Sequence, residues 1–572
     1  MPPSSALPAP TNHRRFFWGW LSYAFASEVF AVCSLTLFLP ICLEQFARDN
    51  GYLLPDKRTP CSEAIPMAVD AGSEPGPEAR CVVKIGWLWV DSASFSLYVY
   101  SASVAIQALT VISMGGVADH PPHRKLVLLG FAALGSFSAT LFLPLSSTSP
   151  LWAASALLAI FANVSFGASI VALNAYLPSL ARSAPEVVAA KMEAEHLGSE
   201  SHNQADGATV GAEEAKEAVE KYHNLLSRTT SRISSQGIAI GYAAGIALLL
   251  LALVPVTLLH GSTFSLRLAI GMSGIWWAVF TLPSWLWLPG GRNVAGKEDS
   301  DGVQEEEQGL LADADSISEA TATPESERDW TVWAEIVKSW RRLGEMLHPT
   351  EIRKLRNTFW FLTAWFLLSD GFTTITSTAI LFAKTTLHMP ATSLVLIGAI
   401  TPLSGIIGSL AWPRLQRKLG WSNLRALVAL VLVAAVIPLY GCLGFLPWLK
   451  GAKFGGLTTK GEMWALAVYF GSVYGAFQSY ARSVFAELIP PGEEARWYGL
   501  YSITDKSSSF FGPLVVGLIA DATGNIRFAF FFLFFMLLVP VPILLGAVDV
   551  ERGREDAARY SEAKDGSGAS SR

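Results

Sequence analysis

The chain contains 572 residues, of which 51% are hydrophobic and 16% are charged. A soluble protein of average composition carries roughly 25% charged residues, and the apolar residues here lie in runs of about 20. This composition excludes a soluble enzyme, a disordered protein and a small secreted domain held together by disulfides. The net charge of −5 gives no basic surface for nucleic acid, and the five cysteines form no CxxC pair for a metal.

Taken in chain order, twelve apolar segments are long enough to cross a bilayer, because about 20 helical residues span roughly 30 Å of hydrocarbon. Continuous apolar runs favour helices over the alternating strands of a membrane barrel. The weakest two segments are 392–412, which is short, and 499–520, which contains Asp505 and Lys506. The predicted spans are 16–43, 86–114, 125–147, 151–180, 234–259, 266–289, 357–383, 392–412, 421–447, 462–489, 499–520 and 526–548.

These spans predict an all-α integral membrane protein with twelve transmembrane helices in two pseudo-repeats of six. Lysines and arginines near the span ends are concentrated on the side that carries both termini, which predicts cytosolic termini. The cytosolic connections contain too few apolar residues for cores of their own, so we expect them to be mostly disordered with short helices. The predicted domains are an N-terminal tail (1–15), a first six-helix bundle (16–289) with a non-cytosolic loop (44–85) and a cytosolic loop (182–233), an acidic inter-bundle loop (290–356), a second six-helix bundle (357–548) and a C-terminal tail (549–572).

Two cysteines, Cys61 and Cys81, lie in the non-cytosolic loop 44–85. An oxidising route through the secretory pathway favours a disulfide between them. In the entropy model, closing a loop of about 20 residues lowers the conformational entropy of the unfolded chain and stabilises the folded protein by roughly 3 kcal/mol. Two free thiols are the alternative.

The connection after the second predicted span is a tight basic turn. Gly115 is followed by Asp119 and then by the pair Arg124 and Lys125. This arrangement resembles the loop between spans two and three of the major facilitator superfamily. Gly115 would permit close approach of two helices, and Asp119 would accept bonds from a helix N-terminus or an arginine and so latch a cytosolic gate. An ordinary basic turn is the alternative.

The corresponding connection in the second half repeats part of this pattern. It keeps Gly408 and the basic pair Arg417 and Lys418, but Trp412 stands where the acidic residue is expected. The partial repeat supports two halves of six helices, and the missing carboxylate indicates an asymmetric latch.

Two carboxylates lie deep within predicted spans, where an unpaired charge is costly. Glu28 and Asp370 are about ten and about thirteen residues into the first and seventh spans. Because these spans are equivalent in a six-plus-six repeat, both carboxylates should face a central cavity, where they suit a proton relay or the binding of an ammonium group. Local hydrogen bonds to hydroxyls such as Ser27 or Thr373 are the alternative.

A second group of charges lies towards the cytosolic ends of the tenth and eleventh predicted spans. Its members are Arg482, Glu487, Asp505 and Lys506. They are predicted to form a salt-bridge network between helices that opens and closes as a gate. In the alternative, Arg482 holds a substrate carboxylate through a bidentate contact.

The sequence gives no indication of enzyme chemistry. No G-x-S-x-G motif is present, which weighs against a serine lipase or esterase. The near match to a P-loop that begins at Gly291 has Glu298 where Ser or Thr would hold magnesium. We therefore expect no cofactor and no ATP hydrolysis, so any transport would be driven by a gradient.

Several segments resemble the fungal autophagy-related vacuolar amino-acid effluxers, a branch of the major facilitator superfamily. The likeness covers all twelve predicted spans and is most specific at 483–521. The segments are FWGWLSYAFASEVF (17–30), LNAYLPSLAR (173–182), ISSQGIAIGYAAGI (233–246), FLLSDGFTTITSTAILFAK (366–384), TPLSGIIGSLAWP (401–413) and SVFAELIPPGEEARWYGLYSITDKSSSFFGPLVVGLIAD (483–521).

This resemblance implies a multi-pass protein of the vacuole membrane that exports leucine and other neutral amino acids to the cytosol after autophagic breakdown, during nitrogen starvation. The expected partners are these amino acids, the lipid bilayer and protons, since an acidic lumen could protonate Glu28 or Asp370. Two rival functions are a facilitator for another small solute and a non-transporting membrane protein of autophagic-body breakdown.

Overall fold

The computed structural model describes residues 10–61, 81–119, 121–203, 210–290, 331–446, 455–490 and 494–569. In this part of the chain, nine helices are long and apolar enough to cross a membrane. Apart from one small sheet, the regular structure is helical, which confirms the all-α membrane fold class. The nine helices are His13–Asp49, Ser92–Ala118, Ala154–Arg182, Arg232–Leu258, Thr263–Trp287, Arg356–Thr385, Ala391–Leu419, Asn423–Leu443 and Ile526–Gly546.

The third, tenth and eleventh predicted spans are also helical, although they are not among these nine. The third and tenth correspond to helices Pro121–Thr140 and Lys460–Leu488. The eleventh is interrupted, because helix Glu494–Ser508 ends before helix Phe511–Thr523 begins, and neither piece reaches the 18 residues needed for a span. The count of twelve crossings stays a prediction.

The described residues of the first half form nine α-helices, one π-helical segment and three strands. The π-helical segment joins α1 to α2 without a break. In order, the elements are α1 (Pro10–Val29), the π-helical segment (Phe30–Phe38), α2 (Leu39–Asp49), β1 (Tyr52–Leu53), β2 (Cys81–Ile85), β3 (Leu88–Asp91), α3 (Ser92–Asp119), α4 (Pro121–Thr140), α5 (Ala154–Ala175), α6 (Leu177–Arg182), α7 (Pro185–Asn203), α8 (Val210–Leu258) and α9 (Thr263–Trp287).

The second half and the end of the inter-bundle loop contain eleven described helices and one short 3-10 turn. In order, they are α10 (Val332–Met346), α11 (Pro349–Lys354), α12 (Arg356–Thr385), α13 (Ala391–Leu419), α14 (Asn423–Leu443), α15 (Lys460–Leu488), α16 (Glu494–Ser508), α17 (Phe511–Thr523), the 3-10 turn Ile526–Phe528, α18 (Ala529–Leu538), α19 (Pro540–Gly546) and α20 (Val550–Ala569).

Helices pack against one another within each half, and the buried apolar residues of both halves form one continuous core. In the first half, α1 packs against α8 and α9, while α3 and α4 both pack against α5. In the second half, α13 packs against α15, and α14 packs against α15 and α18. The halves meet where α3 contacts α16 and α17, where α2 contacts α12 and where α8 contacts α13. The predicted site residues Glu28, Asp370, Arg482 and Asp505 lie on α1, α12, α15 and α16.

The sheet covers one end of the bundle, which we call the sheet end. Strands β1, β2 and β3 are antiparallel in that order, with Tyr52 opposite Val82 and Val82 opposite Asp91. The disulfide predicted between Cys61 and Cys81 is present, with its Cα atoms 6.0 Å apart. The opposite end, where α20 packs against the start of α12 and the end of α15, is called the termini end.

The expectation of a mostly disordered loop at 182–233 is wrong for its described part. Helices α7 and α8 pack side by side there, and α8 continues into the fifth predicted span. Ala190, Ala194 and Ala218 are buried, and alanine both favours helix and allows close approach. Lys221 and Glu193 join the two helices through an ion pair of 2.9 Å. The C-terminal tail is likewise helical from Val550 to Ala569.

Candidate functional site

Glu28 lies at the boundary between α1 and the π-helical segment, facing α8. A Cβ placed on Gly241 of α8 would collide with the Cγ atom of Glu28, so the side chain occupies the space that this glycine leaves. Within the described part of the chain, Glu28 makes no hydrogen bond and no ion pair. The charged side chain that acts on it is Lys506 of α16, from the other half of the protein.

Asp370 occupies the equivalent place on α12, but its carboxylate is fully bonded. It accepts the backbone N–H of Gly512 through both oxygens, at 3.0 and 2.8 Å. The hydroxyl of Thr374 donates a further bond of 3.3 Å to Oδ1. The side chain is completely buried, so it does not line open space in this conformation, and its role in coupling stays a prediction.

Each of the two carboxylates contacts a glycine, and the two glycines lie on helices that are equivalent in the six-plus-six repeat. Glu28 packs on Gly241 of the fifth predicted span, and Asp370 binds Gly512 of the eleventh. The fifth span is a continuous helix, whereas the eleventh is interrupted just before Gly512. A carboxylate at a helix N-terminus satisfies free N–H groups and favours the helix dipole. Asp370 therefore stabilises the start of α17, whereas Glu28 packs against the middle of a helix and stabilises no helix N-terminus.

Tyr242 of α8 directly follows Gly241, the glycine against which Glu28 packs. Tyr242 of α8 is under the electrostatic influence of Glu28, of Tyr474 and of Arg482. Arg482 is exposed and forms no ion pair or side-chain hydrogen bond within the described residues. The region thus combines an unpaired carboxylate from the first half with an unpaired guanidinium from the second.

The predicted salt-bridge network between the tenth and eleventh spans is only partly present. Asp505 lies 3.4 Å from its neighbour Lys506 and accepts a 2.5 Å bond from Ser369. Glu487 does not belong to this group, since it lies at the termini end and pairs with Arg554 of α20. The sequence could not place Glu487, because its partner Arg554 lies 67 residues further along the chain.

The basic turn at the termini end also differs from its predicted arrangement. Gly115 has open space around it, and the glycine at a close contact is Gly116, where a Cβ would collide with Ser339 of α10. Arg124 donates to the carbonyl of Ala118 at 3.0 Å and stacks 5.1 Å from the ring of Tyr176. Lys125 donates to the carbonyl of Leu288 at 2.8 Å. The side chain of Asp119 lies outside the described residues, so its role as a latch stays a prediction.

At the sheet end, a buried ion pair joins the halves. Glu44 of α2 is completely buried and pairs with Lys384 of α12. It also accepts bonds from Arg48 at 3.0 Å and from Ser92 at 3.4 Å. Lys384 additionally donates to the carbonyl of Ile41 at 2.8 Å. Because removing one member of a buried pair leaves an uncompensated charge, this cluster holds the two halves together.

A second contact at the sheet end involves Asp521 of α17. It accepts a bond of 2.6 Å from Tyr98 of α3 and one of 2.7 Å from the backbone N–H of Asp91. Hydrogen bonds between the described spans of the two halves are concentrated on this side, whereas Arg482 and Lys506 are exposed. The site is therefore closed at the sheet end and open towards the termini end.

Sequence reasoning missed the tyrosines of the site and the sheet-end cluster. Tyrosine favours membrane interfaces, so Tyr242 and Tyr474, which lie in the interior of predicted spans, could have indicated the site. Glu44 and Lys384 lie at span ends, where charges are common, so nothing in the sequence marked them as a pair. No group of residues able to hold a metal occurs among the described side chains.

The fold and this site are those of a multi-pass membrane protein built from two helical halves. The fold is similar to that of the nucleoside transporter NupG, at a TM-score of 0.50 and 11% identity over 94% of this chain and 100% of the other. It is equally similar to a bacterial homologue of the iron transporter ferroportin, at 0.50 and 12% over 95% and 100%. These likenesses support the major facilitator fold.

A family model described as "Vacuole effluxer Atg22 like" matches residues 12–558. Autophagy-related protein 22 of Cryptococcus neoformans is 40% identical over 98% of both chains. The protein of the same description from Coccidioides immitis is 41% identical over 97% of this chain and 90% of its own. The chain belongs to the vacuole effluxer Atg22-like family, which confirms the resemblance found in the sequence and makes it a multi-pass, effluxer-type transporter.

Proposed function

We propose that this protein exports leucine and other neutral amino acids from the vacuole lumen to the cytosol, with its termini end in the cytosol. The observation that carries the proposal is that Glu28 and Arg482, from opposite halves and unpaired among the described residues, both act electrostatically on Tyr242. A neutral amino acid is a zwitterion, so its ammonium group suits the carboxylate and its carboxylate suits the guanidinium. The aromatic rings of Tyr242 and Tyr474 provide apolar surface for its side chain.

Transport follows from alternating exposure of this site. In the conformation described, Glu44 and Lys384 close the sheet end, and a solute could leave only towards the termini end. Separation of that pair, together with closure at the termini end, would expose the site to the lumen. Because the lumen is acidic, the proton gradient would drive export if a proton crosses to the cytosol together with the amino acid.

The test is counterflow of labelled leucine in proteoliposomes that contain the full chain. Glu28→Gln and Arg482→Gln each remove one charged contact, worth roughly 1.5–3 kcal/mol, so each should raise the leucine concentration for half-maximal counterflow by about 10- to 100-fold. Glu555→Gln, an exposed carboxylate on α20, is the matched control and should behave as the wild type.

Unlabelled neutral amino acids should exchange with labelled leucine, whereas a sugar should not. Exchange with a sugar and none with amino acids would identify a facilitator for another solute. Protein that is folded but exchanges neither would support a non-transporting role. Wild-type counterflow in both Glu28→Gln and Arg482→Gln would place the substrate elsewhere.

A further inference from the structure

Helix α10, in the inter-bundle loop, packs along one side against the termini end of α3. The backbone N–H of Gly116 donates to Ser339 at 3.1 Å, and Glu335 lies beside the same glycine. The indole N–H of Trp340 donates to the hydroxyl of Ser113 at 3.1 Å. These contacts fix the orientation of α10 relative to a membrane-spanning helix.

A second side of α10 is apolar and exposed. Trp333 is 72% exposed, Val337 is 50% exposed and Trp340 is 40% exposed. Successive helix residues advance by about 100°, so these three side chains fall within an arc of about 60°. Two tryptophans and a valine in one exposed stripe form an unusual surface for a water-facing helix.

The third side of α10 is charged and lies roughly 120° around the helix from the apolar side. Lys338 pairs with Glu335 at 3.4 Å, and Arg341 pairs with Glu345 at 3.4 Å. Arg342 is also exposed on this side. A helix with an apolar stripe beside a charged side is typical of segments that lie in a membrane interface.

The apolar side of α10 continues the lipid-facing surface of α3. Ile106 is 44% exposed and Leu109 is 55% exposed on this spanning helix. Ser113, which binds Trp340, lies one turn beyond Leu109 on the same side of α3. The indole of Trp340 therefore stands where the hydrocarbon surface of α3 ends, a position that tryptophan favours.

We propose that α10 lies in the plane of the bilayer surface at the termini end, with Trp333, Val337 and Trp340 immersed in lipid. The partner of this surface is the same bilayer that surrounds α3, and the charged side of α10 faces water. Bound in this way, α10 holds the end of α3 at a fixed depth in the membrane.

The test uses the full chain in liposomes with one nitroxide label at a time. Cys33 and Cys42 are buried, so replacing Cys442 by serine leaves labelling to a single introduced cysteine. Labels go on Trp333→Cys and Val337→Cys for the apolar side, on Lys338→Cys and Glu345→Cys for the charged side, and on Leu109→Cys as a lipid reference. Collision rates are measured with oxygen, which concentrates in lipid, and with a water-soluble nickel chelate.

Labels at 333 and 337 should match the label at 109, with high oxygen and low nickel collision rates, while those at 338 and 345 should show the reverse. Equal nickel collision rates at 333 and 345 would overturn the proposal, because the apolar side would then face water. Protection of 333 from both reagents would also overturn it, since a protein surface would then cover this side.

Discussion

Glu28 and Asp370 differ in what surrounds their carboxylates, although both lie deep in equivalent helices. Asp370 has three hydrogen bonds from Gly512 and Thr374, whereas Glu28 has none among the described residues. A carboxylate that is fully bonded is poorly suited to bind and release a substrate with each cycle. The structure therefore favours Glu28 for contact with the solute and Asp370 for positioning of α17.

Asp370→Asn should destabilise the protein, because the amide cannot accept both bonds from Gly512 and loses the charge. The expected loss is roughly 1.5–3 kcal/mol, the size of a hydrogen bond to a charged group. It is measured as a lower midpoint of thermal unfolding in detergent. Thr374→Val removes only the 3.3 Å bond and should lower the midpoint less. Equal midpoints for wild type and Asp370→Asn would show that this carboxylate does not stabilise α17.

The depth of both carboxylates could be predicted from the sequence, but their different surroundings could not. The bond from Gly512 to Asp370 joins residues that are 142 positions apart in the sequence, and no local pattern predicts the break in the eleventh span. The charges Asp505 and Lys506 did mark that span as the weakest in apolar character. Glu44 was missed for a similar reason, since its partner Lys384 lies 340 residues further along the chain.

At the scale of the elements, glycines set how closely α13 and α15 approach. A Cβ on Gly408 of α13 would collide with the carbonyl oxygen of Ser472, and one on Gly475 of α15 would lie 2.5 Å from the carbonyl oxygen of Gly405. Backbones in such contact cannot accommodate added atoms without moving apart. The glycine that is repeated between the two halves therefore has a packing role in the second.

Gly408→Ala should destabilise the second half, because the added methyl group must displace backbone and not a flexible side chain. We expect a clear fall in the yield of folded protein and in the thermal midpoint. Gly115→Ala is the matched control, since Gly115 has nothing within 4 Å of its Cβ position and alanine favours helix. Equal losses in the two variants would argue against close packing at Gly408.

The C-terminal helix α20 is held by a carboxylate that should make its docking depend on pH. Glu351 of α11 accepts bonds from Lys354 at 2.8 Å and from Tyr560 at 2.7 Å. Burial raises the pKa of Glu351, but these bonds outweigh it and hold the pKa below its ordinary value. A lowered pKa in the folded state stabilises docking above the unfolded pKa of about 4.3, and this contribution is lost as the pH falls through the folded value.

Glu351→Gln should therefore increase hydrogen exchange of α20 relative to wild type at neutral pH. The two proteins should converge only when the pH falls below the lowered pKa of Glu351 in the folded protein, because the wild-type carboxylate is then protonated. Exchange is compared between variant and wild type at each pH, which removes the intrinsic pH dependence. A difference that persists unchanged at low pH would mean that the charge of Glu351 does not hold α20.

The helices of the long connections show where sequence patterns were insufficient. The apolar spans were evident from composition, since lipid requires long apolar runs. Helices α7, α10 and α20 are polar, and their stability comes from packing on α8, α3 and α12. Such contacts between distant segments leave no strong periodic signal, so the expectation of mostly disorder was wrong for the described part of loop 182–233.

At the scale of the whole molecule, the two halves are joined at the sheet end and separate around Glu28 and Arg482. Alternating access requires the contacts at the sheet end to open during each transport cycle. Gly261, which precedes α9, and Ala391, at the start of α13, come from different halves and meet there. Their Cβ positions lie 3.1 Å apart, close enough for a disulfide after a small adjustment. Gly261 has a φ of +68°, which a cysteine adopts only with strain, so the single variant Gly261→Cys is the control that measures this cost.

The most direct measurement is leucine counterflow by the Gly261→Cys/Ala391→Cys variant in proteoliposomes, before and after reduction. The oxidised variant should show no counterflow, and reduction should restore it, because the locked sheet end cannot expose the site to the other side. Wild type and the two single variants, treated identically, should be active throughout. Undiminished counterflow in fully cross-linked protein would contradict the account, since the solute would then cross without opening the sheet end.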